Sequence, residues 1–385
     1  MNNTSMNENN EELDIFRDMV KKALQKEIAP YHGDWEKAGI LPRDMWNTLG
    51  NAGLLCVDLP VEYGGSGVTF RFSQLILEEI ARLGFVGLAG SVAIQSDIVA
   101  QYILHIGSDE QKQTWLPGMC SGEVVTAIAM TEPGAGSDLQ GMRTSAIVDG
   151  DDFILNGSKT FITNGVNADM VVVAAKTNPK AGGKGISLFL VDTKLPGFKK
   201  GKALDKIGQH AGDTAELFFE DLRVPGSALL GQLNHGFFYL IQELPRERLA
   251  IGSTAVAAAE GALEWTVEYV NQRKAFNKRL SEFQNTRFKL AELKTEIEIN
   301  KAYLNQCVSQ YEAGKMDVTT AAMVKLSTTE MQCKVMDECL QLFGGYGYMA
   351  EYPIARAFVD ARVQKIYAGT SEIMKEVIAR DVLGH

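Results

Sequence analysis

The chain has 385 residues and a formal net charge of −10, with 45% hydrophobic and 22% charged residues. The acidic balance and the lack of a basic stripe argue against a nucleic-acid-binding protein, and no apolar run reaches the ~20 residues needed to span a bilayer. The length favours two or three domains over a single hydrophobic core.

The N-terminal part of the chain is typical of a helical domain. The polar, acidic start MNNTSMNENNEELDIF predicts neither a signal peptide nor a transit peptide, and we expect residues 1–10 to be a disordered lead-in. Residues 11–125 contain stretches such as LDIFRDMVKKALQKEIAPY with apolar residues at the helical spacing, which predict an N-terminal α-helical domain.

The five cysteines show no C-x-x-C spacing, which is typical of free thiols in a reducing compartment. We therefore expect a cytoplasmic protein of bacterial origin.

Between residues 126 and 232 the hydrophobic period changes from 3.6 to two. Short apolar runs are separated by the dipeptides Asp149-Gly150, Asn156-Gly157 and Asn164-Gly165, which are strong hairpin signals. Strands with tight turns and no intervening helices predict a middle antiparallel β domain rather than a dinucleotide-binding parallel sheet.

From residue 233 to residue 385 the helical period returns. Long amphipathic stretches predict helices over 249–269, 283–312 and 318–342, with two more after Pro353 and Thr370. Several long helices joined by short loops predict a C-terminal α-helical bundle. The fold class expected from these textures is a multi-domain α+β protein.

Three common catalytic or nucleotide-binding motifs are missing from the sequence. It contains no H-E-x-x-H, G-x-S-x-G or P-loop string, and its five histidines are scattered, so we expect no metal site. The single G-x-G-x-x-A string, in GGYGYMAEYP, follows a helix rather than a strand and therefore fails as a dinucleotide fingerprint.

Three stretches remain as candidates for a site. TEPGAGSD, residues 131–138, combines a flexible backbone with hydroxyl and carboxylate groups at a helix-to-strand boundary. In QELPRERLAIG, the helical neighbours of Glu247 are mostly apolar, but the usual burial of Glu still favours a solvated surface charge on pattern alone. In KIYAGTSEIMK, Ala368 and Gly369 precede the last helix, which is typical of a helix start or of a ligand close to the backbone.

Together these stretches resemble the acyl-CoA dehydrogenase family. The resemblance rests on AMTEPGAGSD, NGSKTFITNG, RKAF and QLFGGYGYMAEYPIARAFVDAR followed by KIYAGTSEIMK, in consistent order from about residue 11 to the end. ELPRERL and the Ala-Gly-Thr near the C-terminus resemble the long-chain type in particular.

The resemblance implies a known architecture and chemistry. The fold is a helical domain, a β domain and a helical bundle, assembled as a homotetramer that is a dimer of dimers. The implied cofactor is FAD, and the implied reaction oxidises medium- or long-chain acyl-CoA thioesters to trans-2-enoyl-CoA in fatty-acid β-oxidation. Electrons then pass to electron-transfer flavoprotein.

The resemblance also implies the catalytic residues. In many relatives the base is a Glu just before the Gly-Thr of the last motif, but Ala368 occupies that position here. In the long-chain and isovaleryl types the base comes from the ELPRERL helix, so the matching base is Glu247. It would take the α-proton while flavin N5 accepts the β-hydride. The backbone N–H of Ala368 would stabilise the enolate oxygen, and enclosure would raise the pKa of Glu247.

Binding residues follow from the same resemblance. Thr131 and Thr163 match groups that bond the flavin ring, Phe161 matches an aromatic packed on it, and Arg273 matches an arginine reaching the FAD of a neighbouring subunit. The implied cofactor contacts are Met130, Thr131, Ser137, Phe161, Thr163, Arg273, Phe276, Gln284, Gln341, Gly345, Thr370 and Glu372. The implied substrate contacts are Ser91, Gln95, Ser137, Arg248, Tyr367 and Gly369. A departure from the pattern is Asn277, where relatives usually have Gly.

Alternatives remain open at this level. The relocated base also occurs in branched-chain types, so an isovaleryl- or citronellyl-type substrate is a second interpretation. A catalytically inactive scaffold is a third, and an oxidase that passes electrons to oxygen is a fourth. The pocket floor, expected near residues 91–97, would decide the acyl chain, but the sequence does not give its depth.

Overall fold

The computed structural model describes residues 2–384, and side chains from residue 11 onward. The N-terminal helices are α1 (Asn2–Glu27), α2 (Ala29–Ala38), α3 (Arg43–Asn51), α4 (Phe70–Arg82), α5 (Val86–Ala93), α6 (Ala100–Ile106) and α7 (Asp109–Ser121). A π-helical turn, Ile94–Val99, joins α5 to α6. Helix α1 begins at Asn2 instead of following a disordered segment 1–10, of which residue 1 lies outside the described residues. Residues 2–10 contain neither Pro nor Gly, so nothing interrupts the helix there.

The middle domain is one eight-stranded sheet. Its strands are β1 (Thr126–Ala129), β2 (Ser145–Asp149), β3 (Asp152–Thr163), β4 (Met170–Lys176), β5 (Ile186–Asp192), β6 (Phe198–Ala203), β7 (Thr214–Pro225) and β8 (Leu229–Leu230). Their order is β6-β7-β3-β2-β4-β5-β8, with β1 also on β4. The pairs β1–β4 and β2–β4 are parallel, so the sheet is mixed and the expectation of a purely antiparallel sheet is wrong. Turn dipeptides report local hairpins and carry no information on pairing between distant strands.

The three predicted turn dipeptides have different positions in the sheet. Asp149-Gly150 joins β2 to β3, and Asn164-Gly165 follows the end of β3. Asn156-Gly157 lies inside β3, so its prediction as a turn is wrong. Gly157 has φ +150° at a register shift, and a Cβ there would lie 2.5 Å from Thr144 Oγ1. The glycine therefore marks a β-bulge where the backbones approach closely.

The C-terminal part is a bundle around one long helix. Its elements are α8 (Gly236–Gln272), the short strands β9 (Lys274–Ala275) and β10 (Lys278–Arg279), α9 (Gln284–Glu312), α10 (Val318–Phe343), α11 (Pro353–Arg362) and α12 (Ser371–Leu383). The predicted helical–β–helical order is confirmed. Helix α8 starts well before Leu249 and runs through Pro245.

The sheet separates two hydrophobic clusters. Along β4, Met170, Val172 and Ala174 pack into the larger cluster shared with both helical parts, whereas Val171, Val173 and Ala175 face a second cluster within the β domain. This alternation is the period of two expected for a strand buried on both faces. Within the described residues, every helix is too short or too polar to cross a membrane.

Candidate active site

Glu247 is a buried carboxylate in the first half of α8. It is 3% exposed, and the hydroxyl of Tyr102 on α6 donates a 3.0 Å hydrogen bond to its Oε1. Burial, assisted by the nearby charge of Glu243, raises the pKa of Glu247 to about 7, although the Tyr102 hydrogen bond and Arg248 act in the opposite direction. The pattern-based interpretation of Glu247 as a solvated surface charge is wrong, because the apolar stripe of α8 faces the core.

The arginines on either side of Glu247 have different surroundings. Arg246 is held by Asp58 at 2.6 Å and Asp97 at 2.8 Å. Arg248 is also buried, but its best contact is 3.4 Å from Nη1 to the Val318 carbonyl. The Nε atoms of both arginines lack a partner among the described residues. Burial lowers the pKa of Arg248, and Glu247 partly offsets this effect. Arg248 is therefore a sparsely compensated positive charge next to the carboxylate.

The loop before α12 has an unusual backbone. Ala368 has φ +50° and Gly369 has φ +93°, and the left-handed region costs an alanine about 1 kcal/mol or more. Lys325 on α10 is fully buried, and its Nζ donates a 2.7 Å hydrogen bond to the Gly369 carbonyl. Burial, with the nearby charge of Arg248, lowers the pKa of Lys325 to about 8. Lys325 thus ties helix α10 to the loop that carries Ala368.

Tyr367 and Thr370 fix the two ends of this loop. Burial raises the pKa of the Tyr367 phenol, and nearby Gln209 of the β domain acts in the opposite direction. The Thr370 hydroxyl accepts a hydrogen bond from the Ile373 amide and caps α12. Glu372, in the first turn of α12, is exposed.

A second buried lysine organises the TEPGAGSD loop. Lys159 on β3 is fully buried, and its Nζ lies 2.8 Å from Glu132 Oε1 and 3.0 Å from the Met130 carbonyl. The Glu132 carboxylate also accepts the backbone N–H groups of Arg143 and Thr144. These bonds hold the backbone around Thr131 against strand β3. Neither lysine was singled out from the sequence, because an isolated Lys in an apolar stretch gives no signal of its partner.

Phe161 and Ser137 are both open to solvent near this loop. Phe161 has φ +60° and is 69% exposed, at a register shift that follows Lys159. Phe161 therefore lies outside the core of the sheet although it is part of strand β3. A large apolar ring held outward by an unfavourable backbone conformation offers a face for a planar ligand. Thr163 is half-buried at the end of β3, and Ser137 is exposed within the loop.

The bundle end contributes a separate cavity of about 570 Å³. Arg273, Gln341 and Gly345 all line it, and the Arg273 guanidinium lies 5.4 Å from the centre of the Tyr346 ring. Phe276 and Gln284 are outside the lining: Phe276 is 90% exposed at the β9–β10 turn with φ +52°, and Gln284 is exposed at the start of α9. The structure therefore brings Arg273, Gln341 and Gly345 together in one cavity. It leaves Phe276 and Gln284 exposed outside that cavity.

Ser91 and Gln95, the predicted substrate contacts at the expected pocket floor, are both fully buried. Ser91 Oγ has no hydrogen-bond partner among the described residues. The Gln95 amide nitrogen donates to the Met119 and Val124 carbonyls, and its oxygen accepts from the amide and hydroxyl of Thr126. Gln95 thus ties the helical part to β1 and has no polar group left for a substrate, which differs from its predicted substrate contact.

Three family models cover almost the whole chain. The acyl-CoA dehydrogenase N-terminal domain matches residues 10–123, the middle domain matches residues 127–222 and the C-terminal domain matches residues 234–383.

Individual relatives match over a similar extent. The long-chain specific mitochondrial acyl-CoA dehydrogenase of Sus scrofa is 51% identical over 97% of this chain and 86% of its own. The crystal structure of an acyl-CoA dehydrogenase from Geobacillus kaustophilus has a TM-score of 0.95 at 49% identity, covering 97% and 98% of the two chains. A glutaryl-CoA dehydrogenase from Mycobacterium smegmatis, solved in complex with FADH2, has a TM-score of 0.92 at 31% identity, covering 97% and 95%.

Proposed function

We propose, from the premise that this chain belongs to the acyl-CoA dehydrogenase family, that it oxidises straight medium- to long-chain acyl-CoA thioesters to trans-2-enoyl-CoA. The chain is a flavin-dependent oxidoreductase acting on CH–CH bonds, with FAD as its cofactor. The 51% identity to a long-chain specific relative supports the proposed chain length. Because the proposed substrates are straight-chain thioesters, the proposed pathway is fatty-acid β-oxidation.

The surroundings of Glu247 carry the proposed mechanism. Ala368 has no acid, and Glu247 is an enclosed carboxylate with a pKa of about 7. A base with such a pKa is ionised in a large fraction of molecules near neutral pH and still gains driving force for taking a proton from a weak carbon acid. Glu247 therefore takes the proton from Cα of the thioester.

Enolate stabilisation is assigned to the loop before α12. The backbone N–H of Ala368 would donate to the thioester oxygen as negative charge develops there. The Lys325 bond to the Gly369 carbonyl restricts this loop. Arg248 adds positive charge beside Glu247 and favours its ionised form.

Two features support FAD binding by the residues named from the sequence. The outward Phe161 ring and the nearby Thr131 and Thr163 offer an apolar face with hydroxyl donors for a flavin. Arg273 in the bundle cavity has the planar fork that suits a diphosphate. FAD held by these residues would supply the hydride acceptor for the β-hydrogen of the substrate. The open position of Arg273 and the exposed Phe276 support a homotetramer in which they reach the cofactor of a neighbouring subunit, and electron-transfer flavoprotein is the proposed acceptor.

The test is an anaerobic titration of the FAD-loaded protein with straight and branched acyl-CoAs, followed by the visible flavin band. Rapid bleaching by straight chains of about eight carbons or more supports the proposal. Bleaching by branched thioesters alone would retain the chemistry and move the substrate to the isovaleryl or citronellyl type. No bleaching by any thioester, with FAD bound, would favour the inactive scaffold. Rapid reoxidation of the product complex by oxygen would favour an oxidase.

A further inference from the structure

Two pairs of polar side chains connect α6 and α8 at Glu247. Tyr102 donates to Glu247, and one turn away His105 Nδ1 lies 2.9 Å from Glu243 Oε1. Residue numbers rise along α6 while they fall along α8, so the helices are antiparallel here and the pairs form two adjacent rungs. We call these four residues the α6–α8 ladder.

The ladder runs from the protein interior to solvent. Tyr102, Glu247 and Glu243 are 0%, 3% and 5% exposed, whereas the His105 side chain is 41% exposed. His105 also lines a surface cavity of about 530 Å³, with mostly polar neighbours that include Ser108, Gln111, Gln232 and Gln242. A polar cavity of this size is large enough to admit water.

Glu247 has to lose a proton once in every turnover. Its burial leaves almost no direct access to water, and a bound thioester would cover what remains. Glu243 lies one turn before Glu247 on the same face of α8, because side chains four residues apart on a helix are neighbours. Its charge raises the pKa of both Glu247 and Tyr102, so it lies within electrostatic reach of both groups.

We propose that Glu243 and His105 carry the substrate's α-proton from Glu247 to water in the surface cavity while the acyl-CoA remains bound. This inference rests on the proposed role of Glu247 as the base. The Cα–H bond breaks and an O–H bond forms on Glu247. The proton passes to the Glu243 carboxylate and then to Nδ1 of a neutral His105, and the resulting imidazolium gives its Nε2 proton to water. Both glutamates end ionised, and His105 ends neutral as the Nδ1–H tautomer, which returns to the Nε2–H tautomer by proton exchange with the cavity water before the next turnover.

The experiment separates proton abstraction from proton exit. FAD-loaded protein is incubated in D₂O with an acyl-CoA analogue that has sulphur at position 3. This analogue keeps acidic α-hydrogens but has no hydride to give from position 3. Mass spectrometry of the recovered analogue gives the rate of deuterium uptake at Cα. Abstraction with the true substrate is measured in parallel as the single-turnover rate of flavin reduction.

The test variant is His105→Asn, whose amide keeps a donor to Glu243 but cannot take up a proton, and Glu243→Gln is the second variant. We expect deuterium uptake to fall about tenfold or more in both variants, whereas flavin reduction changes less than about threefold, because a lost transfer group costs factors of this size. The matched control is His235→Asn at an exposed histidine, which should change neither rate.

Two results would overturn the relay. Deuterium uptake at the wild-type rate in both variants would show that the proton leaves by another route. A parallel fall of uptake and flavin reduction would show that His105 and Glu243 act only by holding the helices together. Failure of the proposed function would be distinguishable, since the wild-type protein itself would then not reduce its flavin.

Discussion

Three consecutive charged residues of α8, Arg246, Glu247 and Arg248, are each 3% exposed. They differ in how many partners bind their charged groups. Arg246 has two carboxylates within 2.8 Å, and its guanidinium lies 4.6 Å from the centre of the Phe70 ring. Glu247 has one phenol, and Arg248 has one long contact to a carbonyl. Burial is therefore equal, and only the number of partners differs.

The difference separates a charge that holds the fold from the two charges to which the proposed mechanism gives a chemical role. A buried charge held by two carboxylates ties elements together, and here it joins α8 to residues 58 and 97 of the N-terminal part. A buried charge with few partners costs stability and is retained where function requires it. Glu247 has room to change its protonation state because, among the side chains that the structure describes, no cation binds its carboxylate directly.

Glu247→Gln should give the largest effect. We expect flavin reduction to fall about 1,000-fold, because the amide cannot accept the α-proton, while FAD and acyl-CoA still bind. Anaerobic stopped-flow spectroscopy measures both. Glu264→Gln, at an exposed position of the same helix, is the matched control. Reduction within tenfold of wild type would remove Glu247 from its role.

Stability provides a second readout for the same variant. The folded-state pKa of Glu247 is raised from 4.5 to about 7, so the stability it contributes is present below 4.5 and is lost as pH rises through 7. Glu247→Gln should therefore unfold at an equal or higher temperature than wild type at pH 8. A markedly lower midpoint would mean that the variant is damaged rather than merely inactive.

Arg246→Met tests the compensated side of the comparison. Removing this guanidinium leaves Asp58 and Asp97 buried without their cation, a change that costs about 3–5 kcal/mol and lowers the thermal unfolding midpoint. Arg248→Met should lower the midpoint much less, since no buried carboxylate loses an ion-pair partner. If Arg246→Met does not fold, Asp97→Asn gives a milder version of the same loss. Equal destabilisation by both arginine variants would contradict the distinction.

Tyr102→Phe should have the smallest effect on activity, and that effect should be a shift of the pH profile. The lost hydrogen bond favoured ionised Glu247, and a bond of about 1–1.5 kcal/mol corresponds to about one pKa unit. In wild type, kcat/KM should rise with pH through about 7 as the free enzyme's Glu247 ionises, and the variant's rise should lie about one unit higher. Activity near pH 9 should change little. An unshifted profile would show that Tyr102 does not act on the base.

Local signals in the sequence were sufficient for the order of the parts and for most long helices, because periodicity depends on neighbouring residues. Glu247 was different, since its apolar neighbours competed with the usual exposure of Glu, and the resemblance to relatives decided in favour of burial. Tyr102, Lys159 and Lys325 were missed, because their partners are distant in sequence. Tyr102, for example, is 145 residues from Glu247. The parallel pairing of β1 with β4 was missed for the same reason.

The most direct test of Glu247 as the base is hydrogen exchange at Cα without oxidation. The FAD-loaded wild type and Glu247→Gln are incubated in D₂O with the 3-thia acyl-CoA analogue, and deuterium in the recovered analogue is measured by mass spectrometry. The assignment predicts uptake with the wild type and uptake about 1,000-fold slower or undetectable with Glu247→Gln. Uptake at the wild-type rate in that variant would contradict it and place the base elsewhere.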